Sequence, residues 1–149
     1  MTELRVHIVA LTLCAVVSAG CGDAPEQAPL PELDRQVFRI EVEPLLIERC
    51  GNPTTCHGNE GRPFALYAPN SNRRNPADVY RNPPLTEQEH RANYDRTRAF
   101  AVDRGYGCEL LTKPLAKSAG GVDHEGGDVF ESPDSEDFRT LRAWIEASR

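Results

Sequence analysis

Residues 50–58 read CGNPTTCHG. Two thiols, Cys50 and Cys56, are separated by five intervening residues, and the second is followed at once by His57 and Gly58. Two thiols beside an imidazole serve three kinds of chemistry. Covalent attachment of a c-type haem uses two cysteines as thioethers to the vinyl groups and the adjacent histidine as an iron ligand, normally spaced C-x-x-C-H. Here the Cys-His-Gly end is kept and the intervening loop, GNPTT, is enlarged; Gly51, Asn52 and Pro53 suit an outward turn. The second possibility is a disulfide: Cys50–Cys56 with no cofactor, or Cys50–Cys108, which leaves Cys56-His57 with at most a single thioether. The third is a Cys3His zinc site built from Cys50, Cys56, His57 and Cys108. Adjacent Cys56-His57 ligands would strain that tetrahedron, and the spacing exceeds the usual zinc knuckle.

Upstream, RQVFRIEVEPLLIERC (residues 35–50) carries Phe38, Val42, Leu45 and Leu46 on one helical face. Pro44 would kink this helix or mark a new first turn, and the apolar alternation from Phe38 to Val42 also permits a short strand. Downstream, residues 58–84 are rich in Gly, Pro, Asn and Arg and read as irregular loop. Thr86 and Glu89 form a capping box that should start a helix running to about Val102. The last helix is expected from Ser132 as N-cap and Pro133 at the first position. Asp134, Glu136 and Asp137 would face the positive end of its dipole. Phe138, Leu141, Trp144 and Ile145 form its buried stripe. The fold class is therefore mainly α, a small helical domain with long irregular loops.

The start of the chain is different in kind. MTELRVHIVALTLCAVVSAGC has a short charged region, an apolar run from Ile8 to Val17, and Ser18-Ala19-Gly20 immediately before Cys21. The run is too short to span a bilayer and fits a signal peptide. Small residues directly before a cysteine resemble the lipobox of bacterial lipoproteins, which implies an acylated Cys21 and a protein lying on a membrane, not in it. A plain signal peptide cleaved nearby, or an uncleaved anchor, is the alternative. Residues 21–34 hold three prolines and four acidic side chains and read as a tether, leaving a globular domain at 35–149. The expected location is the cell envelope, on the inner or outer membrane, periplasmic or at the surface.

The net charge is −6 and stays so when residues 1–20, with Glu3 and Arg5, are removed. An acidic domain is a poor partner for nucleic acid, which requires clustered Lys and Arg. Thirteen apolar residues lie in the first twenty, so the mature chain is about 35% apolar against a norm of about 45%. A bound apolar body such as a porphyrin would offset part of that thin core. Met1 is the only methionine, so a mature protein has no His/Met iron available. Besides His57 the mature histidines are His90, in the polar run TEQEHRANYDR, and His124, in AGGVDHEGGD. His90 reads as a solvated helix-face residue. The glycines beside His124 would let backbone approach a flat ligand; the bland alternative is a surface-loop histidine.

The run FRIEVEPLLIERC…CHG resembles the opening of cytochrome c-like domains on exported bacterial proteins, through Phe38, Val42, Pro44, Leu45, Leu46, Cys50, Cys56, His57 and Gly58. Lys113-Pro114 and His124-Glu125-Gly126-Gly127 resemble the lysine–proline pair and His-Gly-Gly loop of the same domains. FRTLRAWIEA resembles their closing helix, and the likeness spans residues 37–147. It implies one covalent haem c held by Cys50 and Cys56, with His57 as proximal ligand and His124 as the preferred distal one. The pocket would be walled by Phe38, Leu45, Leu46, Trp144 and Ile145. The protein would be an electron carrier with a protein redox partner rather than a catalyst. Cys108 has no role in that scheme. A haem-free, disulfide-stabilised lipoprotein module of the same shape is the competing reading.

Overall fold

A computed structural model describes residues 30, 32–51, 55–102 and 107–147. Residues 1–20, Cys21 and most of the tether lie outside these, as do Asn52 and Pro53 of the enlarged loop. The described chain is mainly helical, and its only β pairings are the isolated bridges Ala68–Asn72 and Leu115–Phe130. No helix among the described residues is long and apolar enough to cross a membrane.

Residues 35–51 form one helical rod, α1, in which α-helical stretches alternate with π-helical turns at Phe38–Val42 and Ile47–Gly51. The first wide turn ends at Glu43, whose N–H reaches back to Phe38 O, and Pro44 follows it. A proline has no N–H to give to an α-helical ladder, and a widened turn absorbs that loss. The strand alternative for Phe38–Val42 is not adopted. Asp34 starts the rod, its carboxylate accepting from Gln36 N and Val37 N at 2.8 and 2.9 Å.

The tether expectation fails at its last three residues. Leu33 is buried, its carbonyl accepts from Tyr94 Oη at 2.7 Å, and the Asp34 carbonyl accepts from Trp144 Nε1 at 2.8 Å. Buried Tyr and Trp polar tips need acceptors, and here the entering chain supplies them. The folded unit thus begins near Glu32.

The loop after the Cys-His pair contains one short helix, α2, Asp78–Arg81. It is less exposed than its composition implies, since Phe64 to Ala68 run through the interior. α3 spans Glu87–Phe100 and is opened by the expected Thr86/Glu89 capping box. α4 is Glu109–Thr112, a 3-10 turn follows at Lys117–Ala119, and α5 is Glu136–Glu146. α5 begins a turn later than expected. Ser132 and Pro133 lie in a preceding turn, where Ser132 Oγ accepts from Asp134 N and its carbonyl accepts from Ser135 N. That local bonding competes with helix at the first turn.

Phe38 is the hinge pin of the core. It packs edge-on to Tyr94 at 5.5 Å and against Trp144 at 5.2 Å between ring centres, joining α1, α3 and α5. The buried stripe of α5 is Phe138, Leu141, Trp144 and Ile145, as the periodicity requires. Asp137, at the first turn of α5, also pairs with Arg49 at 2.6 Å, fixing α5 beside the C-terminal end of α1 where Cys50 sits.

Candidate functional site

A cavity of about 560 Å³ opens between the end of α1, the Phe64 strand-like segment, α4 and the loop at residues 123–128. Cys50, Cys56, His57 and His124 all line it. That volume suits a bound small molecule or cofactor. Its apolar wall is Leu46, Phe64, Phe100, Leu110, Phe130 and Leu141. Of the five wall residues expected from sequence, only Leu46 lines it. Phe38, Trp144 and Ile145 are consumed by helix–helix packing on the other side of α1, and Leu45 packs against the core without reaching the cavity.

The cysteine–histidine loop is closed by backbone. His57 N donates to Cys50 O at 3.1 Å, Leu66 N donates to His57 O at 2.6 Å, and Ser71 Oγ donates to Gly51 O at 2.6 Å. Gly58 is needed for this closure. A Cβ there would sit 2.0 Å from Gly51 O and 2.4 Å from Ser71 Oγ. The base of the loop is therefore closed by backbone and Ser71.

Cys50, Cys56 and Cys108 form no disulfide with one another. Burial pushes the Cys50 thiol up to about 12, with the neighbouring Cys56 adding to the rise and Arg49 opposing it. A catalytic thiolate needs the opposite shift, so Cys50 is a neutral buried sulfur at ordinary pH. Cys108 is buried outside the cavity, with Sγ donating to Phe100 O at 3.5 Å. No group of three or more His, Cys, Asp or Glu among the described residues is arranged to hold a metal ion, and the Cys3His zinc set does not assemble.

The two histidines are the most informative feature. His57 Nδ1 lies 2.6 Å from Phe64 O, and His124 Nδ1 lies 3.0 Å from Gly127 O. A carbonyl only accepts, so each Nδ1 carries the proton and each Nε2 keeps its lone pair. Metal-bound histidines almost always have this backing from the far nitrogen. The ring centres are 5.9 Å apart and the two planes lie within 8° of parallel. Burial is the largest influence on His57 and pulls its pKa below the usual value. Its bond to Phe64 O opposes that, while the charges of His124, Arg62 and Lys113 add to the fall. A neutral imidazole is the form that binds a metal.

Two features were missed by sequence reasoning. Glu125, which interrupts the His-Gly-Gly run, pairs with Arg62 at 2.7 Å, and Arg62 also donates to Thr55 O at 3.1 Å, so the two histidine loops are tied across the cavity mouth. Gly126 has a different use from the one expected: it makes room for the His124 ring itself, since a Cβ there would lie 2.9 Å from His124 Cε1. A small residue two positions after a histidine is the only trace this leaves in the sequence.

His90 is not a solvated helix-face residue. Its Nδ1 bonds Glu43 Oε2 at 2.5 Å, and Asn93 Nδ2 donates to Glu43 Oε1 at 2.8 Å. Asn93 also brackets Tyr67, accepting from its N and donating to its O at 2.7 and 2.9 Å. This is a closed polar knot between α1, α3 and the 64–68 segment, and its histidine does not line the cavity.

No family model, curated protein or solved structure matches this chain.

Proposed function

We propose that the protein is an exported, lipid-anchored electron carrier holding one haem c in the cavity between His57 and His124. The observation that carries this reading is the pair of near-parallel imidazoles, each with Nδ1–H committed to a backbone carbonyl, lining one apolar cavity with two thiols. The donor set fits the group. Cys50 and Cys56 would hold the porphyrin as thioethers, and His57 and His124 would ligate its iron through Nε2. When bound, the haem supplies a one-electron couple, and the protein sets its potential through ligands and burial.

The chain's own residues do the rest. Phe64 O and Gly127 O fix the tautomer and orientation of the imidazoles. Leu46, Phe64, Phe100 and Phe130 exclude water. Arg49, Arg62, Lys113 and Lys117 at or beside the mouth are each matched by a carboxylate, from Asp137, Glu125, Glu109 and Asp123. Two nitrogen ligands and no methionine favour a comparatively low potential, since methionine ligation raises it. Cys21 as the acylated residue, and a membrane-side redox partner, belong to the same proposal.

The experiment is an absorption spectrum of the chain produced with a haem-attachment system. A red, reducible product is expected, with the low-spin bands of a six-coordinate haem. The His124→Ala variant should stay red but shift to a high-spin spectrum, and His57→Ala should lose most of the colour. A colourless product would favour the disulfide-stabilised module, and mass loss of two hydrogens per cysteine pair would identify it.

A further inference from the structure

The segment bearing His124 is built unlike the one bearing His57. Its ends are pinned: Val122 N donates to Thr112 O at 3.0 Å, and Val129 N and Phe130 N both donate to Pro114 O at 2.9 Å. Between these pins, residues 123–128 form a small self-contained turn. Gly127 N returns to His124 O at 2.9 Å, His124 Nδ1 bonds Gly127 O at 3.0 Å, and Gly127 sits at φ +75°. Asp123 is braced by Lys117 on the same side of the cavity at 2.6 Å. Among the described residues, one polar contact joins this turn to the opposite wall, the Arg62–Glu125 pair. Its side chains are 43% and 83% exposed. A pair that open is weak and screened by salt.

A hydrogen-bonded turn between two pinned ends, carrying His124 and joined to the opposite wall by one exposed ion pair, has the form of a lid with a latch. We propose that residues 123–128 are such a lid, that Arg62–Glu125 latches it, and that its opening exchanges His124 for a small exogenous lone-pair donor at the same position. The inference rests on the haem reading above and goes beyond it by making the distal ligand exchangeable. In the exchange His124 Nε2 would give up its place on the iron to the incoming donor, one ligand leaving as one binds. No electron moves, and the Nδ1 proton stays on its bond to Gly127 O. His57, whose loop is sealed at its base, keeps its ligand throughout.

The test uses the haem-loaded full chain, with imidazole as the probe, followed by stopped-flow absorbance. Glu125→Gln is the variant of choice because the amide keeps the shape and leaves the Arg62–Thr55 bond in place. Loss of an exposed pair should raise the rate of imidazole uptake about two- to fivefold. Salt at about 1 M should bring the native protein up to the rate of the variant, which itself should respond little. Hydrogen exchange on the same samples should accelerate at the amides of residues 123–128 and not at those of α5. Equal imidazole rates in both proteins, or exchange that rises equally in α5, would overturn the latch. A preparation that carries no haem defeats the electron-carrier reading separately. Hydrogen exchange then decides the latch by itself, and an unchanged 123–128 segment defeats it.

Discussion

Gly58 shows how much one missing side chain decides. The Cys-His-Gly run was legible in the sequence as a unit, but its glycine had no assigned reason. The structure gives one: Gly58 lies against Gly51 O and Ser71, so the chain leaving His57 crosses the chain leaving Cys50 at backbone contact. Gly58→Ala should cost about 1–3 kcal/mol by overpacking, seen as a lower midpoint in urea unfolding, and should reduce haem incorporation. Gly61→Ala, whose nearest contact is Asn59 Oδ1 at 3.3 Å, should be close to neutral. Equal stability of the two variants would contradict this account. His124 and His90 were harder to read. Both are single histidines in polar surroundings, and their partners, His57 and Glu43, are remote in sequence. Local composition reads His90 as solvated and leaves His124 between a ligand-facing and a surface-loop residue, and only the fold places them.

At the scale of elements, α3 shows why the boundaries of one helix were legible and the loop before it was not. The Thr86/Glu89 capping box is local, so it could be read directly. Glu89 does more than cap. Its carboxylate receives Arg73 Nε and Nη2 at 3.0 and 3.1 Å, Arg74 N at 2.9 Å and Thr86 N at 2.7 Å. Arg73 also donates to the carbonyls of Pro83 and Pro84. Both side chains are fully enclosed, and together they fold the 58–84 loop onto the start of α3. Burial by itself would raise the Glu89 pKa, but the Arg73 bonds and the backbone donors outweigh it and hold it at about 2. Because the folded value is depressed below the ordinary 4.5, this stabilisation is complete above the unfolded pKa and is lost as pH falls through the folded one. The shift corresponds to about 3 kcal/mol. Glu89→Gln should destabilise the protein by about 3–5 kcal/mol at neutral pH, since it strands a buried guanidinium. The gap to the native protein should narrow between about pH 4.5 and about pH 2. Urea midpoints at several pH values measure it, and a gap that does not change with pH would contradict the assignment. The start of α5 was misplaced for a related reason: Ser132 caps a turn, not a helix, and both uses look alike in sequence.

Across the whole molecule, the low apolar content of residues 21–149 is partly compensated inside the protein. Glu43, Asn72, Arg73, Glu89, Asn93 and Thr97 are all buried, and the first five are hydrogen-bonded there. Such groups are tolerated in a core when satisfied. They lie among α1, α3 and the 64–73 segment. The cavity lies between the close of α1, α4 and the 123–128 turn. Hydrophobic periodicity made the helices readable. It gave no access to this division, because a buried polar knot and a solvated surface have the same composition. The thin core thus combines a cluster of hydrogen-bonded side chains with a cavity.

The claim that this space belongs to a covalently held haem is tested most directly by mass spectrometry of the peptide spanning Cys50 to Cys56 and His57, cut from protein matured with a haem-attachment system. The account predicts a haem-sized increment on that peptide, lost from the thiol count at Cys50 and Cys56 together. An unmodified peptide, or one carrying only a disulfide, would contradict it.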